Sequence, residues 1–96
     1  MSIVIVGGNE CMERQYKDLC REYRCRAKVF TKTDGMSGKI GSPDLLVLFT
    51  GAMSHKMLQG ALCGVKGKNT VIARSHSSSM AALRAILQTH APLPAE

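Results

Sequence analysis

The sequence predicts an α/β fold in which four short strands form one parallel sheet in the order 2-1-3-4. Four apolar runs rich in Val, Ile and Leu are spread along the chain, and amphipathic helical patterns follow three of them. Buried strands that alternate with helices are typical of parallel sheets, and right-handed crossovers favour this strand order. A chain of 96 residues has room for one such domain, which corresponds to half of a Rossmann-like or flavodoxin-like sheet.

The first strand and helix are predicted near the start of the chain. Residues 2–7 are mostly β-branched and run into a Gly-Gly turn, a pattern typical of a strand buried on both faces. Asn9 is a suitable N-cap for a helix of about 15 residues. The apolar side chains of this helix recur at helical spacing: Met12, Tyr16, Leu19 and Tyr23. The second strand is predicted near residues 27–31.

The second half of the chain repeats the pattern after a connection over residues 32–43. This connection is rich in Gly, Ser and Lys and has no helical period, so it is expected to be a loop. The third strand is predicted near 44–49, followed by a helix that begins after Ser54 and ends near Val65. The fourth strand is predicted near 70–74, followed by a helix over residues 80–89. Residues 1–90 are thus expected to form one ligand-binding domain, and 91–96 a flexible tail.

The predicted loop between the second and third strands should leave part of the sheet uncovered. A helix normally covers the sheet at this crossover, so one face beside the first two strands is expected to be thinly covered. Exposed apolar surface of this kind usually binds a partner. We therefore predict a homodimer, with a bound ligand as the other possible cover.

The charge balance favours an anionic partner. Lys and Arg total 13 and Asp and Glu total 7, which gives a net charge of +6. Aromatic residues make up only 4% of the chain, so a surface that stacks bases of single-stranded nucleic acid is not favoured. A nucleic-acid-binding module that uses the basic stretches 21–28 and 32–39 stays open as an alternative.

The cysteines and the apolar runs indicate the compartment. The four cysteines form no CxxC pair, and no export signal precedes them, so reduced thiols are expected rather than disulfides or a structural zinc site. The longest apolar runs are far shorter than the roughly 18 residues of a membrane span. We expect a cytoplasmic protein with no membrane partner.

Candidate binding residues follow the predicted strands. Ligands of open parallel sheets bind at the carboxyl ends of the strands, near the point where the strand order reverses. Free N–H groups at the start of the last helix, serine hydroxyls and an arginine together favour an anion such as phosphate or carboxylate. Plain N-capping by one serine is the alternative. The predicted ligand-binding residues are Gly7, Gly8, Asn9, Ser54, Arg74, Ser75, Ser77, Ser78 and Ser79.

Three candidate metal ligands are predicted at the same edge of the sheet. Cys11, His55 and His76 each follow a predicted strand. Imidazole and thiolate bind zinc, copper and iron, and either group can be an axial ligand of haem. Haem is the first candidate cofactor, with basic side chains near its propionates. The alternative is that each histidine only hydrogen-bonds a loop.

These observations favour a non-enzymatic protein that binds or senses a small anionic ligand, which can contain a metal. An alternative from another class is a phosphoryl carrier or thiol-based enzyme that uses Cys11 or His76. No pair of carboxylates and no Ser-His-Asp arrangement is predicted near the edge, so catalytic residues are not assigned.

Six stretches carry a resemblance to a known family: VIVGG, ERQYKDLC, KVFT, IGSPDLLVLFT, SHKM and ARSHSSSMAALRAIL. Together they resemble a bacterial family described as domain of unknown function 2325, over Ser2 to about Leu87. The most specific are SHKM at 54–57 and RSHSSS at 74–79, which coincide with the predicted site. The resemblance implies a small bacterial α/β protein and no established activity.

Overall fold

Four parallel strands form the centre of the computed structural model, which describes residues 1–31 and 40–90. The strands are β1 (Ser2–Gly7), β2 (Arg26–Phe30), β3 (Leu45–Phe49) and β4 (Val71–Ser75). They lie in the order β2-β1-β3-β4, and every neighbouring pair is parallel. This confirms the predicted α/β fold and its strand order. The predicted loop at 32–39 and the predicted tail at 91–96 lie outside the described residues.

Three helices connect and follow the strands. They are α1 (Glu13–Glu22), α2 (His55–Gly64) and α3 (Met80–His90), with short 3₁₀ turns at Glu10–Met12 and Thr50–Ala52. Ser54 caps α2 as predicted, since its hydroxyl oxygen accepts the Met57 N–H at 3.1 Å. None of the helices in the described parts has the length and apolar character that a bilayer crossing requires.

The helices lie on both faces of the sheet and give two core layers. Alternate strand residues point to opposite faces, so the continuous apolar runs of β1 and β3 contribute to both layers. The first layer, between the sheet and α1 and α3, includes Ile3, Ile5, Tyr16, Leu19, Leu45, Val47, Phe49, Leu83 and Leu87. The second layer, between the sheet and α2, includes Val4, Val6, Leu46, Leu48, Met57, Ala61 and Val65.

The exposed apolar surface lies at a different strand from the one that the sequence predicts. Val4 and Val6 of β1 face α2 and are 1% and 0% exposed, because they pack in one cluster with Met57 and Ala61. Apart from Met1 at the start of the chain, the exposed large apolar side chains of the described residues lie on β4, where Val71 is 50% exposed and Ile72 39%. β4 is an edge strand, so one side of its backbone has no neighbouring strand in the sheet.

Candidate functional site

The loops that follow β1, β3 and β4 meet at the carboxyl edge of the sheet. The Gly51 N–H donates to the His76 carbonyl oxygen at 3.2 Å, and the Thr50 hydroxyl donates to the Ser75 carbonyl oxygen at 3.4 Å. The β1 loop is equally close to the β3 loop: a Cβ on Gly7 would lie 2.9 Å from the Phe49 carbonyl oxygen. Gly7 also has φ of +91°, which favours glycine. A side chain at this position is therefore disfavoured both by the close contact and by the backbone conformation.

A buried tyrosine connects the first and last of these loops from below. The Tyr16 side chain is 0% exposed, and its hydroxyl donates to the Ser78 carbonyl oxygen at 2.6 Å. The Tyr16 hydroxyl oxygen also accepts a long hydrogen bond from the Asn9 N–H at 3.5 Å. The Tyr16 ring packs against Phe49 at a centroid distance of 5.4 Å. One helical side chain thus fixes the spacing between the β1 loop and the start of α3.

His76 is hydrogen-bonded at this edge through its backbone and not through its imidazole. A Cβ placed on Gly51 would lie 3.0 Å from Cε1 and 3.1 Å from Nδ1 of His76, so the ring packs on the bare glycine. The residue is exposed, and no described residue makes a hydrogen bond with its ring nitrogens. An imidazole that is positioned by packing and has unpaired nitrogens is available to a ligand.

Arg74 lies on the face of the sheet that α2 covers. It pairs in register with Leu48, a member of the α2-side layer, and alternates with the buried Ala73 on the opposite face. Its side chain is exposed, and no described carboxylate lies within ion-pair distance of it. Arg74 therefore adds an unpaired positive charge to the edge strand two residues before His76.

The other two predicted metal ligands are placed differently from His76. His55 begins α2, and its Nε2 is 3.0 Å from the Gln59 side-chain nitrogen one turn further along the helix. Cys11 lies in the first 3₁₀ turn with its thiol exposed, and its N–H donates to the Asn9 side-chain oxygen at 2.9 Å. Among residues 1–31 and 40–90, no group of three or more His, Cys, Asp and Glu side chains is arranged to hold a metal ion.

The serines before α3 are largely engaged with one another. Ser79 caps α3 by accepting the Ala82 N–H at 3.1 Å, and Ser77 donates to the Ser79 hydroxyl at 3.1 Å. Ser75 donates to the Ser77 carbonyl oxygen at 2.8 Å, while Ser78 is used through its carbonyl. N-capping thus accounts for Ser79, and two serine hydroxyl protons already have acceptors. The groups most open to an anion here are Arg74 and His76.

Two residues that shape this edge are not among the predicted binding residues. In the sequence, Tyr16 occupies an ordinary core position of an amphipathic helix. Phe would fill the same space, so only the choice of Tyr indicates a buried hydrogen bond of its hydroxyl. Gly51 reads as a strand terminator. Its contact with His76 depends on the fold and has no local sequence pattern.

Comparison with protein families identifies the family to which the chain belongs. The model of the family described as "Uncharacterized protein conserved in bacteria (DUF2325)" matches residues 2–90, so the chain belongs to that family. This confirms the resemblance carried by the six sequence stretches. Neither a curated protein nor a solved structure matches the chain significantly.

Proposed function

We propose that this protein is a non-enzymatic ligand-binding or sensing protein whose site is the carboxyl edge of the sheet. The observation that carries the proposal is the state of His76, whose ring is exposed, packed on Gly51 and without a hydrogen-bond partner among the described residues. An exposed imidazole whose ring nitrogens bond no described protein group is free to bind a ligand. The exposed Arg74 nearby favours an anionic ligand.

Haem is the first ligand to test at this edge. An axial ligand to haem iron is one imidazole or one thiolate, so haem does not need a cluster of three protein ligands. Along β4, Ile72 and Arg74 alternate with Ala73 and share one face, and His76 follows the strand. In this arrangement Ile72 would contact the porphyrin ring, Arg74 would pair with a propionate and His76 would bind the iron. If the bound ligand is haem, His76 is the residue we assign as its axial ligand.

Absorbance titration with hemin tests this assignment. We expect a shifted Soret band at a stoichiometric ratio, lost or strongly altered in His76→Ala. His55→Ala is the matched control, because that ring is also exposed but already bonded to Gln59. Retention of the band in His76→Ala together with its loss in His55→Ala would move the site to the start of α2. An unchanged hemin spectrum with the wild-type protein would reject haem.

The anionic character of the ligand is tested through Arg74. Loss of a charge-assisted contact weakens binding by about 1.5–3 kcal/mol, which is roughly a factor of 10 or more. We expect Arg74→Ala to weaken the hemin complex by this factor, and Arg74→Lys to weaken it less. Equal affinity of Arg74→Ala and wild type would show that the propionate contact is wrong.

The proposal includes a homodimer in the cytoplasm. The exposed Val71 and Ile72 on the open edge of β4 support self-association at this strand, because edge strands with apolar side chains readily pair with another chain. All four cysteines are free thiols, which supports a reducing compartment. Ile72 is also the apolar side chain assigned to the porphyrin, so a partner subunit at this edge would cover part of the proposed site.

A further inference from the structure

A second basic feature lies at the opposite end of the sheet from His76. Here α1 and the start of β2 border an open cleft of about 310 Å³, lined by Lys17, Arg21, Cys25, Arg26 and Ala27. Three of these five residues are cationic, and none is acidic. Small-molecule pockets begin at about 300 Å³, so the cleft has the size of a small ligand site.

The turn between α1 and β2 brings these cations together. Arg24 has φ of +60°, its N–H donates to the Arg21 carbonyl oxygen at 2.9 Å, and the Cys25 N–H donates to the Cys20 carbonyl oxygen at 2.9 Å. This pair of bonds is the Schellman arrangement that ends a helix and reverses the chain. The Arg26 N–H then donates to the Met1 carbonyl oxygen at 3.0 Å, which fixes the start of β2 beside β1.

Local roles account for two of the three cations but not for Arg26. Arg21 lies in the last turn of α1, where a positive charge interacts favourably with the helix dipole. Lys17 lies 3.8 Å from the Glu13 carboxylate on the exposed face of the same helix. Arg26 belongs to a strand, and no described carboxylate lies within ion-pair distance of it. Its position in the cleft therefore leaves an unneutralised guanidinium beside two other cations.

We propose that this cleft is a binding site for a small molecule that carries a phosphate group. Guanidinium groups pair with phosphate oxygens through two parallel hydrogen bonds, and Arg21 and Arg26 approach the cleft from two different elements. The rest of the lining is neutral, since burial raises the pKa of the Cys25 thiol and keeps it protonated. A cleft of this volume with three cations suits a small phosphorylated molecule better than a polymer, which needs an extended basic surface.

A titration with pyrophosphate, followed by amide chemical shifts of the 10.4 kDa protein, tests the site. We expect the shifts to concentrate on the amides of Cys25, Arg26 and Ala27. Arg26→Ala should weaken pyrophosphate about tenfold or more, and Arg26→Lys should weaken it less, because lysine keeps the charge but loses the fork. Arg84→Ala removes an exposed arginine of α3 that does not line the cleft, and it should leave the affinity unchanged.

Each other outcome rejects the site. If pyrophosphate shifts amides across the whole basic surface, or if Arg84→Ala weakens it as much as Arg26→Ala, binding is non-specific charge attraction. If a short single-stranded DNA shifts the cleft amides and pyrophosphate does not, the ligand is a nucleic acid and the small-molecule proposal is wrong. His76→Ala should not alter pyrophosphate binding, so this test is independent of the proposed haem site.

Discussion

The hydroxyl of Tyr16 offers the most direct test of how the carboxyl edge is assembled. Tyr16→Phe removes one oxygen and keeps the ring, so the packing against Phe49 at 5.4 Å is retained. The change removes the 2.6 Å bond to the Ser78 carbonyl oxygen, the 3.5 Å bond from the Asn9 N–H and a long 3.8 Å contact with the Met12 sulfur. All other contacts of the aromatic ring remain available to phenylalanine.

The expected cost comes mainly from the bond to Ser78. The net value of a protein hydrogen bond is about 0.5–1.5 kcal/mol, and a partly buried carbonyl left without its donor adds to the loss. The bond to Ser78 is short and counts fully, whereas the bond from Asn9 is at the limit of hydrogen-bond distance and counts little. We expect Tyr16→Phe to lower the free energy of unfolding by about 1–2 kcal/mol, or roughly 5–15 °C in Tm for a domain of this size.

Urea unfolding of Tyr16→Phe beside Tyr23→Phe makes the measurement specific. Tyr23 is a half-buried tyrosine at the end of the same helix, and its hydroxyl makes no hydrogen bond with the described residues. Its replacement should change stability by less than about 0.5 kcal/mol. Amide shifts of Asn9 and Ser78 should move only in Tyr16→Phe. Equal losses in the two variants, or shifts confined to α1, would refute the view that Tyr16 connects the two loops.

Three further predictions concern other parts of the molecule. Gly51→Ala places a methyl group against the His76 carbonyl and ring, so urea unfolding should show a loss of about 1–3 kcal/mol. Burial raises the pKa of Cys20 from 9.0 to about 12, so the unfolded chain loses this proton first as pH rises. The free energy of unfolding should therefore fall by up to about 1.4 kcal/mol per pH unit between these two pKa values. The fall should be less steep in Cys20→Ala, whereas Cys11→Ala should show the same fall as the wild-type protein. Light scattering should give a dimer mass that Ile72→Lys converts to a monomer mass; a wild-type monomer would reject the β4 interface.

The strands could be predicted from the sequence because buried strands consist of continuous apolar residues. β1 and β3 are continuous apolar runs, and only strands in the middle of a parallel sheet need apolar side chains on both faces. The predicted ends of all four strands lie within one residue of the observed ends. The exposure of Val71 and Ile72 could not be predicted in the same way, because it depends on the edge position of β4 and on which helices cover it.

The start of the first helix shows where local signals are ambiguous. Asn9 is an N-cap, as predicted, but its side chain accepts the N–H of Cys11 and so begins a 3₁₀ turn. The α-helix begins only at Glu13. An asparagine side chain can reach the N–H two or three residues ahead, and the sequence does not distinguish these two geometries. The position of Cys11 relative to the carboxyl edge of the sheet therefore could not be predicted from the sequence alone.

The difference between His55 and His76 shows how a site is selected by contacts that the sequence does not contain. Both histidines follow neighbouring strands, both are exposed, and residue type gives no reason to prefer either one. The structure separates them through their neighbours. Gln59 lies one helical turn from His55 and bonds its ring, whereas Gly51 bonds the His76 carbonyl oxygen and only packs against the His76 ring. A side chain at position 51 would displace the His76 ring, so the glycine keeps that imidazole both fixed and unpaired. If His76 is the ligand, Gly51→Ala should weaken hemin binding beyond its effect on stability, while Tyr23→Phe should leave hemin binding unchanged.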